Sequence, residues 1–389
     1  KKMGLKSYRF SVSWSRILPD GTEKINQKGI EFYQSLVREL KAAGIEPMVT
    51  LYHWDLPYAL YLQGGWKNPQ IPDWFAAYTK IVVEALSDQV QYWMTLNEPQ
   101  CFVGIGHLQG RHAPFLDEPA SLRPVTRHVL LAHAKAVQTI RQYAKLPPKV
   151  GYAPTGPVFS PCGDESEAAI AEAYRRTMEV EGCYSISWWC DPVLLGRVPE
   201  PMAKALGADV FTPQELELLH QPLDYLGFNV YNACAAQQPG SEYTANTWQG
   251  SPRTAMEWPI TPDCIYWAIR FLNQRYGRPI LITENGMANT DFVMLDGKVH
   301  DPQRIDYVHR HLLAARRALQ EGYPLIGYTY WSIMDNYEWA EGYSKRFGLI
   351  YVDYRTMERI PKDSAAWYAH VIATNGSELS PAAPVCHPA

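Results

Sequence analysis

The sequence predicts an α/β fold, a (β/α)8 (TIM) barrel, on three observations. Apolar strand-like runs alternate with amphipathic helical stretches along nearly the whole chain, the signature of parallel strands with helices outside. The alternative, an open doubly wound sheet, calls for a glycine-rich turn after its first strand, and no G-x-G-x-x-G occurs. Two of the runs also end at their C-terminal tips in an amide and an acid, Asn97-Glu98 and Glu284-Asn285, where a barrel collects its chemistry.

The elements follow in order. Ser7 to Trp14 reads as a strand, and Asn26 to Ala43 as a helix stopped by Gly44. Glu46 to His53 is a second strand, and Ile71 to Ala85 a helix with Pro72 near its start. Tyr92 to Asn97 is a third strand closed by Pro99, followed by a long helix from Pro124 to Ala144. Val150 to Thr155 is the fourth strand. Glu165 to Trp189 reads as largely helical, with a further helix after Thr212. Asp224 to Tyr231 is the fifth strand, and about Ala233 to Pro262 a long polar loop. Asp263 to Tyr276 is helical, Pro279 to Thr283 the sixth strand, Asp301 to Glu321 a helix ended by Gly322, and Leu325 to Ile333 the seventh strand. A last helix spans Asp363 to Ala373.

Seven strands are one short of a closed barrel. The chain starts on Lys1-Lys2-Met3-Gly4, which reads as the end of a helix, so a leading βα unit of at least ~30 residues is expected to be missing. Residues 1–374 are expected to form a single domain, and the proline-rich segment 375–389 a disordered tail. The triplet Asn375-Gly376-Ser377 fits a glycosylation acceptor, a short pattern of little weight.

Composition narrows the function classes. The 389 residues are 47% hydrophobic, enough for a large core, with 13 Trp and 25 Tyr suited to packing and to stacking on ligands. A net charge of −4 favours neither nucleic acid nor an anionic membrane, and no apolar run approaches spanning length. Seven cysteines, an odd number without C-x-x-C, read as free thiols in a reducing, cytoplasmic setting, although the abrupt start leaves a signal peptide open. His128/His133 and His309/His311 lack the i, i+4 spacing of zinc sites, so neither metal nor cofactor is expected. Neither a dinucleotide cradle nor a P-loop is present.

The strand tips carry Arg9, His53, Trp54, Asn97, Glu98, Asn229, Tyr231, Glu284 and Trp331, with Glu338 and Trp339 just beyond the seventh. Two carboxylates on strand tips are the minimum equipment for cleaving a glycosidic bond. The amides, imidazole and indoles suit sugar hydroxyls and the C–H face of a sugar ring. One such Glu alone would equally well be a solvated loop residue. Two in matching contexts shift the balance.

The motifs Thr95-Leu96-Asn97-Glu98-Pro99 and Ile282-Thr283-Glu284-Asn285-Gly286 resemble the paired signatures of family 1 glycoside hydrolases, the β-glucosidase family. Residues 8–16, Tyr52-His53-Trp54-Asp55-Leu56-Pro57, Gly227-Phe228-Asn229-Val230-Tyr231 and residues 336–343 fit in series. The resemblance implies a retaining β-glycosidase acting from the non-reducing end. Glu284 would be the nucleophile and Glu98 the acid/base, with Arg9 and Tyr231 supporting Glu284. His53, Trp54, Asn97, Asn229, Tyr231, Trp331, Glu338, Trp339 and Phe347 would surround the sugar. Glu338 and Phe347 differ from the phospho-sugar branch of the family, which implies an unphosphorylated β-glucoside, with β-galactosides or β-fucosides as further substrates. Gln100 stands where many relatives have Trp, and is expected to weaken stacking on aryl aglycones. In relatives the first strand carries a Gln for the 3- and 4-hydroxyls, which nothing here matches. A non-catalytic carbohydrate-binding protein on the same barrel, and a barrel isomerase or metallohydrolase, are the alternatives.

Overall fold

The computed structural model describes residues 1–161, 165–236 and 250–380. Seven parallel strands form the barrel wall: β1 (Ser7–Ser11), β2 (Glu46–Tyr52), β3 (Tyr92–Asn97), β4 (Lys149–Ala153), β5 (Leu226–Asn229), β6 (Ile280–Asn285) and β7 (Leu325–Tyr330). β1 to β4 pair in sequence order, as do β5 to β7. Asp224 and Asn229 donate backbone N–H bonds to Val150 and Pro154 at 2.9 and 3.0 Å, which carries the wall from β4 to β5.

On the opposite side, β1 and β7 face each other across a groove of about 510 Å³ lined by Leu5–Ser11 and Tyr328–Asn336. Among the described residues β1 is laddered only to β2, and β7 only to β6.

The predicted strands and principal helices are present, with helices at Gln27–Ala42, Ile71–Leu86, Leu122–Tyr143, Cys264–Tyr276, Pro302–Gln320 and Asp363–Ala373. β1 ends earlier than expected. Trp14 begins a short helical turn and is fully buried, stacked on Tyr78 at 5.0 Å, with its indole N–H bonded to the Gly21 carbonyl. Trp14 therefore belongs to the core and not to a strand tip.

The stretch 165–189 splits into helices Glu167–Met178 and Ile186–Leu194, because Gly182 adopts φ +76° between them. The long loop expected from Ala233 instead opens with a strand, Ala233–Ala236, parallel to Val158–Pro161, and residues 237–249 lie outside the described residues. A small hairpin, Ile350–Val352 with Arg359–Pro361, was also unexpected.

The tail does not become disordered at Asn375. Leu379 is buried, and its carbonyl accepts a 2.6 Å bond from Arg316 on the helix Pro302–Gln320. An apolar anchor and a cation hold residues 375–380 where composition alone suggested solvent. The rest of the tail lies outside the described residues.

Of the seven cysteines, Cys101, Cys183, Cys190, Cys234 and Cys264 are free, and Cys162 and Cys386 lie outside the described residues. No helix of the described residues is long and apolar enough to cross a membrane.

Candidate active site

Parallel strands point their C-terminal ends the same way, so residues distant in sequence meet at one rim. A pocket of about 440 Å³ at that rim is lined by His53, Trp54, Glu98, Tyr231, Glu284, Trp331, Glu338, Trp339 and Phe347. Arg9, Asn97 and Asn229 stand behind it. Every site residue singled out in the sequence is thus either on the pocket wall or bonded to a residue that is.

Glu284 is the penultimate residue of β6 and only 5% exposed. One carboxylate oxygen takes a 2.6 Å bond from Arg9 Nη1, and the other a 2.7 Å bond from the Tyr231 hydroxyl. A cation in direct contact compensates the negative charge of Glu284 in a site where water cannot. Arg9 is itself fixed: Nε donates to Thr50 Oγ1 at 3.1 Å and Nη2 to Asn97 Oδ1 at 2.6 Å. The chain leaves Glu284 through Gly286, where a Cβ would sit 2.0 Å from the Trp331 carbonyl oxygen. Only glycine allows the β6 and β7 tips to approach so closely.

Glu98 follows β3 at φ +42°, a left-handed conformation unusual for a side chain of this type. Its backbone N–H bonds to the Ala153 carbonyl at 2.8 Å, and its Oε1 accepts from Asn229 Nδ2 at 2.8 Å. Among the described residues no cation bonds it. Burial, and then the negative charge of Glu284, push its pKa up to about 8. Two carboxyls in one pocket therefore occupy opposite environments.

Asn97 connects them. Its Oδ1 accepts from both Arg9 and Asn229, the latter at 3.0 Å, so its Nδ2 is the donor toward His53 Nε2 at 3.2 Å. The imidazole proton of neutral His53 then resides on Nδ1. Burial lowers the His53 pKa to about 4, which keeps the ring neutral at physiological pH.

Trp54 differs from its expected role as a sugar hydrogen-bond donor. Its indole N–H is bonded to the Asn97 carbonyl at 2.9 Å, and its ring packs on Trp339 at 4.8 Å. His53 stacks between Trp331 and Trp339 at 5.8 and 5.9 Å. Glu338 is half-buried, its Oε2 has no hydrogen-bond partner among the described residues, and burial followed by the charge of Glu284 lifts its pKa to about 7.

Sequence reasoning missed Trp258, which packs on Tyr231 at 5.1 Å and on Phe347 at 6.1 Å. It lies in a stretch read as loop, and nothing local marks it. Tyr184, in a stretch read as helical, and Ile105, Arg111 and His112, between the third strand and the helix from Pro124, also line the outer pocket wall and were missed. Gln100 lines the pocket too, but its amide is turned onto the main chain of Thr155 and is not an open gap in an aromatic wall.

Of the four histidines whose spacing does not fit a zinc site, three are well buried with protein partners. His133 pairs with Thr95 Oγ1 at 2.6 Å, His128 donates to the Trp66 carbonyl at 2.9 Å, and His311 donates to that of Tyr307 at 2.6 Å. Among the described residues no group of three His, Cys, Asp or Glu is arranged to hold a metal.

Comparison with known proteins agrees with this geometry. The sequence profile of glycosyl hydrolase family 1 matches residues 1–377. β-Glucosidase A of Thermotoga maritima is 42% identical over 385 residues, covering 97% of this chain and 84% of its own. A bifunctional β-D-glucosidase/β-D-fucosidase of Bifidobacterium breve is 37% identical, covering 97% of this chain and 85% of its own. The structure of a Thermotoga maritima β-glucosidase in complex with deoxynojirimycin superposes with a TM-score of 0.87 at 41% identity, covering 97% of this chain and 85% of that one. With a profile match along nearly its full length and relatives of this similarity, the chain belongs to glycosyl hydrolase family 1.

Proposed function

We propose that the protein is a retaining β-glucosidase that removes unphosphorylated glucose from the non-reducing end of β-glucosides. The observation that carries this reading is the division of labour between two carboxyls in one pocket. Glu284 is held by Arg9 and Tyr231 and acts as nucleophile. Glu98 accepts from the Asn229 amide, meets no cation among the described residues, and keeps its proton as general acid.

In the first step Glu284 attacks the anomeric carbon while Glu98 delivers its proton to the leaving oxygen. The product is a glycosyl ester on Glu284 and a free alcohol. Forming the ester removes the charge on Glu284, and with it one of the two causes that hold the Glu98 pKa high. The newly ionised Glu98 then takes a proton from water as that water attacks the ester, which restores both carboxyls.

Glu338 supplies an acceptor for glycone hydroxyls through its unpartnered oxygen. A carboxyl there disfavours a 6-phosphate by repulsion when ionised. Trp331, Trp339 and neutral His53 form the sugar's apolar and hydrogen-bonding surroundings, with Phe347 and Trp258 beside Tyr231. The Bifidobacterium breve relative's name supports β-fucosides as further substrates. The binding-only alternative gains nothing, since both carboxyls stand in place.

Labelling with 2-deoxy-2-fluoro-β-glucosyl fluoride tests the reading. One added sugar, mapped to Glu284 by peptide mass, is the expected result; a different site, or no adduct on folded protein, sinks it. The pH profile supplies a second check. Glu98 must be protonated for the first step, so kcat/KM is expected to fall above about pH 8. The Asn229 bond favours the Glu98 anion, so Asn229→Ala should move that basic limb to higher pH. A profile flat to pH 10 would contradict the assignment.

A further inference from the structure

The β3–β4 ladder ends with Asn97 opposite Ala153, and Glu98 adds one more backbone bond to Ala153. Pro99 then turns the chain into a single π-helical stretch, Gln100–Leu108, so the β3 main chain can no longer follow β4. Thr155, the next β4-side residue in register, still presents an N–H and a C=O. Gln100 meets both. Its Oε1 accepts from the Thr155 N–H at 3.3 Å and its Nε2 donates to the Thr155 carbonyl. An amide presents one acceptor and one donor side by side on a planar group, which matches a backbone N–H and C=O.

The side chain thus continues the ladder after the backbone has left it. The connection reaches the carboxyl of Glu98 by a second route: Thr155 Oγ1 donates to the Asn229 carbonyl at 2.9 Å, and Asn229 Nδ2 donates to Glu98 Oε1 at 2.8 Å. Gln100 is 1% exposed, so water does not replace these bonds when they are lost. Glu98 sits in a left-handed conformation that persists only where its surroundings over-determine it.

We propose that Gln100 is a positioning residue for proton transfer: its two-point bond to Thr155 holds Glu98 at the leaving oxygen. This rests on the acid/base assignment of Glu98 given above. A positioning role predicts a loss that depends on the leaving group. A 2,4-dinitrophenyl glucoside needs no proton to depart, whereas phenyl and alkyl glucosides need Glu98.

The test is kcat/KM, which reports the first step, for Gln100→Leu and Gln100→Glu across a series of glucosides of graded leaving-group pKa. The expected result is a fall on the order of 10²-fold for phenyl and alkyl glucosides, within the span of a general acid's contribution. The dinitrophenyl substrate should fall by no more than about threefold, so the Brønsted slope becomes steeper than in the wild type. Gln100→Glu keeps both bonds as the neutral acid and loses the donor once ionised, and should fall between wild type and Gln100→Leu. It also covers the case in which Gln100→Leu does not fold. An equal fall for all leaving groups would mean a structural role, and no fall for any would mean that the bond is idle; either overturns the proposal. The wild-type arm keeps the two readings apart. If the wild type hydrolyses the series and is labelled at Glu284, a negative result in the variants counts against Gln100 alone.

Discussion

Glu284→Gln is expected to leave less than about one part in 10⁴ of the wild-type kcat, the scale on which losing a member of a nucleophilic unit operates. The amide is nearly isosteric with the acid. It can still accept from Arg9 or Tyr231, which bond the two oxygens of Glu284 at 2.6 and 2.7 Å. The fold should therefore survive, as circular dichroism would show. What is lost is the negative charge that attacks the anomeric carbon. Arg9 would then stand beside a neutral group, and its own positive charge would disfavour the oxocarbenium-like transition state. Azide added to the assay separates the two carboxyls. In Glu98→Ala it should restore turnover of dinitrophenyl glucoside with β-glucosyl azide as product; in Glu284→Gln it should not give that product. A Glu284→Gln enzyme retaining a tenth of wild-type activity would remove Glu284 from the mechanism.

Lys362→Met carries the largest expected effect on stability. Lys362 is fully buried, and its ammonium bonds Asp291 at 2.5 Å and Asp335 at 2.8 Å. Arg304, equally buried, bonds Asp291 at 2.6 Å and also pairs with Asp301, while Arg346 bonds Asp335 at 2.6 Å. Three acids and three bases neutralise one another behind the sugar pocket. Burial, and then Arg304, push the lysine's pKa down, yet two carboxylates face it. Removing it leaves three carboxylates facing two guanidinium groups, and so one uncompensated buried charge, at a cost of about 3–5 kcal/mol by chemical denaturation. Arg355→Met, which breaks the exposed pair with Asp353, is the contrast and should leave the midpoint unmoved. Asp335 also accepts backbone bonds from Gly348 at 2.9 Å and Val352 at 3.4 Å. The loop it pins carries Glu338 and Trp339, so KM for glucosides should rise along with the loss of stability. A midpoint shift no larger than that of Arg355→Met would show the network to be dispensable.

Both residues illustrate what the sequence makes legible. Glu284 could be found because a short apolar run ending in an acid is an anomaly visible within eight residues. The same holds for Glu98, and β1 to β7 are legible through apolar runs bounded by turn residues. Lys362 could not be found. Its partners lie 27 and 71 positions away, and no local period links Asp291, Asp301, Arg304, Asp335 and Arg346. Trp258 and the pairing of Val158–Pro161 with Ala233–Ala236 were hidden for the same reason, since each depends on a distant partner. Gln100 was visible as an unusual residue, but its partner was not. Identity suggested a missing aromatic wall, whereas the π-helical turn directs the amide to Thr155. Local pattern reveals elements and anomalies. It does not reveal which way a side chain turns once the backbone leaves regular geometry.

The bonds around Asn97 have one direction only. Its oxygen is saturated by Arg9 and Asn229, its nitrogen is committed to His53, and the Asn229 oxygen is occupied by the Thr283 hydroxyl at 2.6 Å. None of these amides can flip without breaking a neighbour, so the polarity of the floor beneath the sugar is set before substrate arrives. As charge moves from Glu284 toward the departing oxygen, these dipoles need not turn to follow it. The reorientation that water would undergo during the reaction has been completed during folding. In this sense part of the activation barrier is met by the same hydrogen bonds that tie the strand tips together, and a destabilised rim would show first as a slower reaction, before any loss of fold.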